Sequence, residues 1–381
     1  MKIVSVVGAR PNFVKIAPIL RAIGRSGCTS IQSVLVHTEQ HYDDDMSASF
    51  FADLGIRRPD WTLGVGSGSH AAQTAAIMQR FEPVVVEERP DVVMVVGDVN
   101  STVACALTAA KLGTRVAHVE AGLRSFDRRM PEEVNRVVTD AVADFLFTTE
   151  ESANDNLRRE GHAAEKVFFV GNVMIDSLLW CRAEASRSTI LERLGLTSRA
   201  NGDGYALVTL HRPSNVDAAE PLERILATLA RLAVDTPVVL PAHPRTRARI
   251  AEFGLVRYVA ECTGDGALPP PAGRVALLPP VGYVDFFRLM SSARVVLTDS
   301  GGIQEETTCL GVPCLTLREN TERPVTLTHG TNTLVGTDPE QILAGARRAR
   351  GNGTPAATLP PLWDGHAADR IVRVLVDRLS A

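Results

Sequence analysis

The stretch that decides the fold is DVVMVVGDVNSTVACALTAAKLGTRVAHVE, residues 91–120. It begins with an unalternated apolar run, continues as a helical pattern that stops at Gly113, and ends with a second short apolar run, RVAHVE. A glycine directly after a helical segment is a common helix stop. Short apolar runs joined by a helix are typical of neighbouring parallel strands that helices cover on both faces. The stretch therefore predicts a β-α-β unit of a parallel α/β sheet.

The same alternation extends toward both ends of the chain and restarts once. Strands are predicted at KIVSVVG, QSVLVHT and DFLFTT in the first half, and at YALVTLH, PVVLPAH, RVALLP, RVVLTDS and PCLTLRE in the second. This pattern predicts an α/β fold with two Rossmann-like domains, 1–195 and 205–365. The polar, glycine-containing stretch at 196–204 is the predicted linker. The amphipathic segment 366–381 predicts a C-terminal helix that joins the first domain, and 46–54 predicts a short helix.

Composition limits the class of protein. The chain has 381 residues, of which 45% are apolar, so at roughly 100–200 residues per domain it can bury two cores. The formal net charge of −4, without a block of like charge, argues against a nucleic-acid partner. The six cysteines show no C-x-x-C spacing, which is typical of reduced core thiols in a cytoplasmic protein. The first apolar run is too short for a signal peptide or a membrane span, so no membrane partner is expected.

The stretch TDSGGIQEE, residues 298–306, has the most specific chemistry of the predicted strand ends. Ligands of open parallel sheets bind at the carboxyl ends of the strands. Here a strand gives way to Ser300, Gly301 and Gly302, which open a helix, and two glycines let a phosphate approach the free N–H groups of a helix N-terminus. Glu306, one turn later, could reach ribose hydroxyls. The structural alternative is a tight turn in which Ser300 caps the helix.

Three carboxylates of the first half are candidate acids and bases: Asp98, Glu120 and Glu132. Acids that meet in one cleft commonly have pKa values pushed apart, which supplies acid and base roles. The alternative is that they form ion pairs with Arg124 and Arg136.

Two histidines, His211 and His243, follow strands of the second half, and each has an arginine nearby in the sequence, as in HRP and HPR. This pattern favours anion binding. No histidine or cysteine spacing suggests a metal site. The glycine fingerprint of a dinucleotide site is absent after the first strand, which argues against a nicotinamide dehydrogenase.

A set of motifs, in the same order along nearly the whole chain, resembles the non-hydrolysing UDP-N-acetylglucosamine 2-epimerases. The motifs are VGARPNFVKIAP, GDVNST, HVEAGLRS, MPEEVNR, TLHR, TDSGGIQEE and TERP. The resemblance implies two Rossmann-like domains in a GT-B arrangement, with the active site in the cleft between them. It also implies a homodimer that converts UDP-GlcNAc and UDP-ManNAc reversibly without a cofactor.

The resemblance implies a role for each matching residue of this chain. The catalytic set is Asp98, Glu120, Glu132, His211 and Lys15. The UDP-binding set is Arg10, His211, Phe286, Ser300, Gly301, Gly302 and Glu306, and the substrate-facing residues are Arg136, Arg323 and Asn215. In the implied mechanism, elimination of UDP gives a 2-acetamidoglucal, and UDP then re-adds with a proton on the other face of C2.

Two further activities fit parts of the sequence. HYDDDMS, GSGSH and RRMPEE also resemble relatives that act on UDP-2,3-diacetamido-2,3-dideoxy-glucuronate. A GT-B glycosyltransferase would use a similar nucleotide-sugar cleft, although it would need one base rather than several carboxylates. The segment TEQHYDDDMS, residues 38–47, replaces residues that bind an activating second UDP-GlcNAc in family members, so we expect this activation to be absent.

Overall fold

The computed structural model describes residues 1–25, 31–39, 51, 53–197, 204–262, 272–350 and 358–379. Most of the linker expected at 196–204, most of the short helix expected at 46–54 and nearly all of the segment 38–47 lie outside the described residues. The chain forms two compact units, Met1–Trp180 with Pro361–Ala381, and Cys181–Pro360. We call them unit 1 and unit 2.

Unit 1 is built on a seven-stranded sheet, in which every described strand pair is parallel and the strand order is β3-β2-β1-β4-β5-β6-β7. The strands are β1 Lys2–Val7, β2 Gln32–His37, β3 Trp61–Thr62, β4 Val92–Val96, β5 Arg115–Val119, β6 Phe145–Thr148 and β7 Val167–Phe169. The helices are α1 Arg10–Arg25, α2 His70–Glu88, α3 Asn100–Lys111, α4 Pro131–Val142, α5 Glu151–Arg159 and α6 Val173–Arg187, whose last residues belong to unit 2.

Unit 2 repeats the architecture with a second seven-stranded parallel sheet, ordered β10-β11-β9-β8-β12-β13-β14. Its strands are β8 Ala206–Thr209, β9 Val238–Pro241, β10 Val259–Glu261, β11 Val275–Leu278, β12 Val295–Thr298, β13 Cys314–Thr316 and β14 Asn332–Leu334. Its helices are α7 Ile190–Arg193, α8 Pro213–Val216, α9 Ala219–Leu232, α10 Pro244–Glu252, α11 Tyr283–Ser292, α12 Gly301–Leu310, α13 Val325–Thr328 and α14 Pro339–Arg350.

The central strands are apolar because both faces of each sheet are covered. Every residue of β4 and of β12 is buried. In unit 1, Ile77 and Phe81 of α2 pack into the same core as the strand residues Val93 and Val95. The unalternated apolar runs of the sequence thus correspond to strands that have helices on both sides.

The C-terminal helix, α15 Ala367–Leu379, belongs to unit 1. The buried Asp176 carboxylate accepts hydrogen bonds from the N–H groups of Ala367 and Ala368, at 3.2 and 2.7 Å, and so caps the start of this helix. The indole N–H of the buried Trp363 donates to the carbonyl oxygen of Thr149. Among the described helices, none is both long and apolar enough to span a bilayer.

Candidate active site

The carboxyl ends of β1, β4 and β5 are tied together by buried polar side chains. Asn12 Oδ1 accepts from the N–H groups of Gly8 and Ala9, at 3.0 and 3.1 Å, and its Nδ2 donates to the carbonyl oxygen of Val96 at 2.9 Å. The β1–α1 turn is therefore fixed against the end of β4. A Cβ on Gly8 would lie 2.1 Å from Ser101 Oγ, so only glycine fits there.

A buried ion pair joins Lys15 of α1 to Glu120, the residue after β5. Lys15 Nζ lies 2.5 Å from Glu120 Oε2, and both side chains are buried. Glu120 has φ 77°, a left-handed conformation that is uncommon outside glycine and that is often found at functional sites. A Cβ on Gly97 would lie 2.8 Å from Lys15 Nζ, so the absence of a side chain at Gly97 leaves the space that the ammonium group occupies.

A second ion pair holds Asp98, the residue after Gly97. Arg136 Nη1 of α4 lies 2.5 Å from Asp98 Oδ2, and Arg136 Nη2 lies 2.7 Å from Glu133 Oε2. The Arg136 side chain is buried, whereas Asp98 keeps 23% of its side chain exposed. The guanidinium group thus bridges one buried and one partly accessible carboxylate. This is the arrangement expected if Asp98 reaches a ligand and Arg136 fixes its position.

The adjacent residues Glu132 and Glu133 differ sharply in their surroundings. Glu133 also accepts from the Ser125 N–H, the Ser125 hydroxyl and the Phe126 N–H, each at 2.9 Å. Burial acts most strongly on Glu133 and opposes its ionisation, but these donors and Arg136 together hold the pKa of Glu133 below its ordinary value. Glu132 is half-buried, and within the described part of the chain its carboxylate has no hydrogen-bond or ion-pair partner.

Sequence reasoning missed a layer of amides and a histidine beside Asp98. Asn135 Nδ2 donates to the Asp98 carbonyl oxygen at 2.9 Å, and Asn100 Nδ2 donates to Gln73 Oε1 at 2.8 Å. His70 Nδ1 lies within hydrogen-bond distance of the Asn100 amide. The sequence did offer a signal for these amides. Asn100 lies in GDVNST with Asp98, and Asn135 lies in MPEEVNR with Glu132, so each shares a motif with a proposed catalytic carboxylate.

In unit 2, the predicted phosphate-binding residues Ser300, Gly301 and Gly302 form the start of α12. Ser300 is the N-cap residue, yet its side chain makes no cap hydrogen bond, so the structural alternative considered for its hydroxyl is not realised. The Ser300 N–H instead donates to Thr298 Oγ1 at 3.0 Å. Gly301 is buried and Gly302 half-buried, and both lie in the first turn, where helical N–H groups lack intrahelical partners.

Asp299, at the end of β12, organises the histidine loop. Its completely buried carboxylate contacts His211 Nδ1 at 2.9 Å and accepts from the N–H groups of His211 and Arg212. Burial is the largest influence on Asp299 and opposes ionisation, but the imidazole and these N–H donors lower the pKa of the carboxyl. The His211 side chain remains 51% exposed, so the Asp299 contact leaves its other nitrogen accessible.

Asn215 and Arg323 are held inside unit 2. Asn215 is buried, and its Nδ2 donates to Asp299 Oδ2 and to the Leu317 carbonyl oxygen, each at 3.1 Å. Arg323 Nε lies 2.8 Å from Glu305 Oε1, and both side chains are buried. These contacts favour a supporting role for Asn215, whereas Arg323 still contributes positive charge close to Gly301, since a Cβ there would lie 3.8 Å from its guanidinium carbon.

Three arginines surround Glu322, beside the start of α12. Arg318 Nη2 lies 2.8 Å and Arg212 Nη2 3.3 Å from the buried Glu322 carboxylate. Burial acts most strongly and opposes ionisation, but the charges of Arg323, Arg318 and Arg212 hold the pKa of Glu322 far below its ordinary value. The three guanidinium groups are balanced by the carboxylates of Glu305, Glu322 and Asp299, so the attraction for a diphosphate at this point would come from the N–H groups at the start of α12.

Glu306 and Phe286 lie on neighbouring helices, α12 and α11. Glu306 is buried and accepts a hydrogen bond from the Tyr283 hydroxyl at 2.9 Å. Burial raises the pKa of Glu306 to about 7, although the Tyr283 hydrogen bond acts in the opposite direction. The Phe286 side chain is half-buried. Arg10 begins α1, and its side chain lies outside the described part of the structure.

His243 has a structural explanation. It is the N-cap of α10, and its Nδ1 accepts from the Arg245 N–H at 3.2 Å. Across the described residues, no cluster of three or more histidine, cysteine, aspartate or glutamate side chains could hold a metal ion.

Comparisons with known proteins identify the family. The family model for UDP-N-acetylglucosamine 2-epimerase matches residues 26–376. The chain is 40% identical over 377 residues to a UDP-N-acetylglucosamine 2-epimerase of Methanocaldococcus jannaschii, covering 98% of this chain and 99% of the relative. The chain belongs to the UDP-N-acetylglucosamine 2-epimerase family. The resemblance found in the sequence is therefore confirmed.

A solved structure and one further relative refine the comparison within the epimerase family. A crystal structure of the Methanocaldococcus jannaschii UDP-GlcNAc 2-epimerase, in complex with UDP-GlcNAc and UDP, matches with a TM-score of 0.86 at 39% identity, covering 99% of this chain and 100% of that one. A UDP-2,3-diacetamido-2,3-dideoxy-D-glucuronate 2-epimerase of Pseudomonas aeruginosa is 42% identical over 354 residues, covering 92% of this chain and 93% of the relative. The predicted α/β class with two Rossmann-like halves is confirmed by the two parallel sheets and by the match to the Methanocaldococcus jannaschii structure.

Proposed function

We propose that the protein is a non-hydrolysing UDP-N-acetylglucosamine 2-epimerase that interconverts UDP-GlcNAc and UDP-ManNAc. The observation that carries the proposal is the pair of short cation–carboxylate contacts at one sheet edge, Lys15–Glu120 and Asp98–Arg136, each at 2.5 Å. They bring acid and base groups together at the end of the sheet where ligands of such folds bind. Family membership and the relative that carries this activity in its name support the same reaction.

The chemistry requires proton transfer at C2 and departure of the diphosphate from C1. In the first step, a carboxylate takes the C2 proton, the electron pair of that C–H bond forms the C1–C2 double bond, and the C1–O bond breaks with its electrons on the β-phosphate of UDP. In the second step, UDP re-adds at C1 and another acid delivers a proton to the opposite face of C2. No net oxidation occurs, so we propose that the enzyme needs no redox cofactor.

We assign the proton transfers to unit 1 and the departing diphosphate to unit 2. Asp98, Glu120 and Glu132 are the proposed acids and bases, with Lys15 and Arg136 holding two of them. His211 and the Ser300–Gly302 turn are the proposed diphosphate contacts, because donors placed where charge develops stabilise the transition state most. Arg10, Phe286, Glu306 and Arg323 remain proposed nucleotide or substrate contacts.

The test is incubation with UDP-GlcNAc in D₂O, followed by NMR at C2. We expect UDP-ManNAc to form with deuterium at C2 and without accumulation of free ManNAc. The Glu120→Gln protein is the matched control, because it keeps the shape of the side chain but removes the carboxylate. Unchanged UDP-GlcNAc without C2 exchange would overturn the proposal, and transfer of the sugar to an added acceptor would indicate a glycosyltransferase.

A second candidate substrate is UDP-2,3-diacetamido-2,3-dideoxy-glucuronate. The observation that favours it is the 42% identity to the Pseudomonas aeruginosa epimerase named for this sugar. The reaction at C2 is the same, so the same NMR experiment with both sugars, at equal concentrations in one tube, decides between them. Faster C2 exchange in the uronate would make it the preferred substrate.

We further propose that the enzyme works as a cytoplasmic homodimer. Free cysteines among the described residues include the buried Cys105, Cys181 and Cys314, which agrees with a reducing compartment. Light scattering of the purified protein tests the dimer, and a monomer at micromolar concentration would contradict it.

A further inference from the structure

His118 of β5 is a completely buried imidazole, and both of its ring nitrogens are engaged. Nδ1 lies 2.6 Å from Asp140 Oδ1, and Nε2 lies 2.9 Å from the carbonyl oxygen of Gly97. Within the part of the chain that the structure describes, these are its polar partners. Neither nitrogen is open to a ligand, so His118 is not placed to accept or deliver a proton at a substrate.

The two partners determine how many protons the ring carries. A backbone carbonyl only accepts hydrogen bonds, so Nε2 must carry a hydrogen. Asp140 Oδ2 already accepts from Arg124 Nη2 at 2.7 Å and from the Gly122 N–H at 3.0 Å, which stabilises the ionised carboxylate. An ionised oxygen 2.6 Å from Nδ1 requires a hydrogen on Nδ1 as well.

The Asp140 carboxyl is consistent with this proton count. Burial is the largest influence and opposes ionisation, but the charge of His118, its hydrogen bond and the Arg124 contacts together lower the pKa of Asp140. Arg124 is in turn paired with Glu160, at 2.6 Å. The buried ensemble His118, Asp140, Arg124 and Glu160 thus contains two cations and two anions.

We infer that His118 is a buried imidazolium that acts as a positioning residue for the proposed catalytic carboxylates. Its Nε2–H holds the Gly97 carbonyl, while the Gly97 N–H donates to the Val119 carbonyl oxygen at 3.0 Å. The Gly97 residue is therefore fixed on both sides by β5.

This position of Gly97 determines the geometry of both ion pairs in unit 1. Asp98 follows Gly97 directly and pairs with Arg136. The Lys15 ammonium group, which pairs with Glu120, occupies the space that a side chain at Gly97 would fill. Glu120 itself lies two residues beyond His118 on the same strand end. The charged groups around His118 are Asp140 of α4, Arg124 behind it, and Lys15 of α1 across Gly97. Displacing the backbone at Gly97 would shift both proposed bases.

The proton count is tested by NMR of the wild-type protein labelled with ¹⁵N-histidine, which does not depend on the proposed function. The His118 signals are assigned, among those of the 9 histidines, as the set that disappears in His118→Asn. We expect both ring nitrogens to show the protonated chemical shift at about pH 7. A neutral tautomer, with one ring nitrogen at the unprotonated chemical shift, would overturn the inference.

The positioning role rests on the proposed function and is tested by kinetics. His118→Gln retains a donor near the Nε2 position, and His118→Asn retains one near Nδ1, but neither carries the charge. We expect both to lower kcat by roughly 10- to 100-fold with little change in KM, because small displacements of reacting groups cost that much. The control is Asp176→Asn, which removes another buried carboxylate of unit 1, at the start of α15.

The outcomes separate the two proposals. If wild-type C2 exchange fails, the function is wrong, while the NMR experiment still decides the charge of His118. If C2 exchange occurs in the wild type and both His118 proteins retain kcat within about twofold, the positioning role is wrong. If Asp176→Asn loses as much kcat as the His118 proteins, general destabilisation explains the effect and the positioning role is likewise overturned.

Discussion

His211 Nδ1 lies 2.9 Å from Oδ1 of the completely buried Asp299, at the end of a strand in unit 2. Because the Asp299 carboxylate accepts a hydrogen bond from the Nδ1–H group, it favours the His211 tautomer that carries its hydrogen on Nδ1. The Nε2 atom is then available to a ligand. The same carboxylate holds the N–H groups of His211 and Arg212, so it fixes both the loop and the ring. In the sequence, Asp299 stood out only as the end of a strand, and its role follows from these contacts.

Asp299→Asn should lower kcat and should also remove a pH-dependent stabilisation. The pKa of Asp299 is lower in the folded protein than its ordinary value, so the ionised carboxylate stabilises the fold above about pH 4. That contribution disappears as the pH falls through the folded pKa. Urea unfolding of both proteins should therefore show a stability difference at pH 7 that shrinks on acidification. A difference that grows toward low pH would contradict this assignment.

Breaking the buried pair Lys15–Glu120 should be costly for the fold. Lys15→Met leaves a buried carboxylate without its cation, and such losses destabilise proteins by about 3–5 kcal/mol. Glu120→Gln in the same chain should restore much of that stability, because the uncompensated charge is then gone. Urea unfolding of the two single variants and the double variant measures the coupling. Additive effects would show that the contact contributes little, whereas activity should be lost in all three.

The sequence predicted the central strands of both sheets because buried parallel strands leave short apolar runs, rich in β-branched residues, between helical segments. β4 and β12 were both found this way, whereas the edge strands β3, β7, β10 and β14 were not, since two or three residues give no pattern. The linker region and the 38–47 segment lie largely outside the described residues, so the expected absence of activation stays a prediction.

The site was predicted less completely, because its supporting contacts join residues that are distant in sequence. The carboxylates Asp98 and Glu120 could be suspected from their places after strands, but the pairing of His118 with Asp140 spans 22 positions and leaves no local spacing to recognise. Arg136 could pair with Glu132 or Glu133 by helical spacing alone. Arg136 pairs with Glu133, whose carboxylate is held in place by the N–H groups of Ser125 and Phe126. These contacts come from the folded loop and cannot be read from helical spacing.

The difference in unfolding free energy between Glu306→Gln and the wild type should shift in favour of the variant as the pH rises. Burial raises the pKa of Glu306 to about 7 in the folded state, from an ordinary value of 4.5, so the folded protein binds more protons than the unfolded chain between these values. Wild-type stability therefore falls as the pH rises from about 4.5 to 7, by roughly 3 kcal/mol, whereas the glutamine of the variant does not titrate. Urea unfolding at pH 5 and pH 8 measures the change. A constant difference between the two proteins would contradict it.

Ser300→Ala should weaken UDP binding without weakening the helix. The Ser300 hydroxyl makes no cap bond, so its loss should change stability by less than about 0.5 kcal/mol, while a lost contact to a phosphate costs about 1 kcal/mol or more. Ser69→Ala is the matched control, because Ser69 Oγ accepts from the Ala72 N–H at the start of α2. It should lower stability by about 1 kcal/mol and leave UDP affinity unchanged. Calorimetry with UDP measures the affinity of both variants, and thermal unfolding measures their stability.

Substitutions of the neighbours Glu132 and Glu133 should have different effects, the first on catalysis and the second on stability. Glu132 has no partner in the described structure, so Glu132→Gln should change the free energy of unfolding by less than about 0.5 kcal/mol. It should nevertheless lower kcat by at least about 100-fold, because it removes a group proposed to transfer a proton. C2 deuterium exchange should fall to the same extent.

Glu133→Gln should have the opposite balance. It weakens the contacts to Arg136, Ser125 and Phe126, so we expect a loss of about 1–3 kcal/mol in stability. Its kcat should fall less than that of Glu132→Gln, because the Glu132 carboxylate is still present. Urea unfolding and C2 exchange on the two proteins, side by side, make the comparison. If Glu132→Gln retained full exchange while Glu133→Gln lost it at unchanged stability, the catalytic role would belong to Glu133.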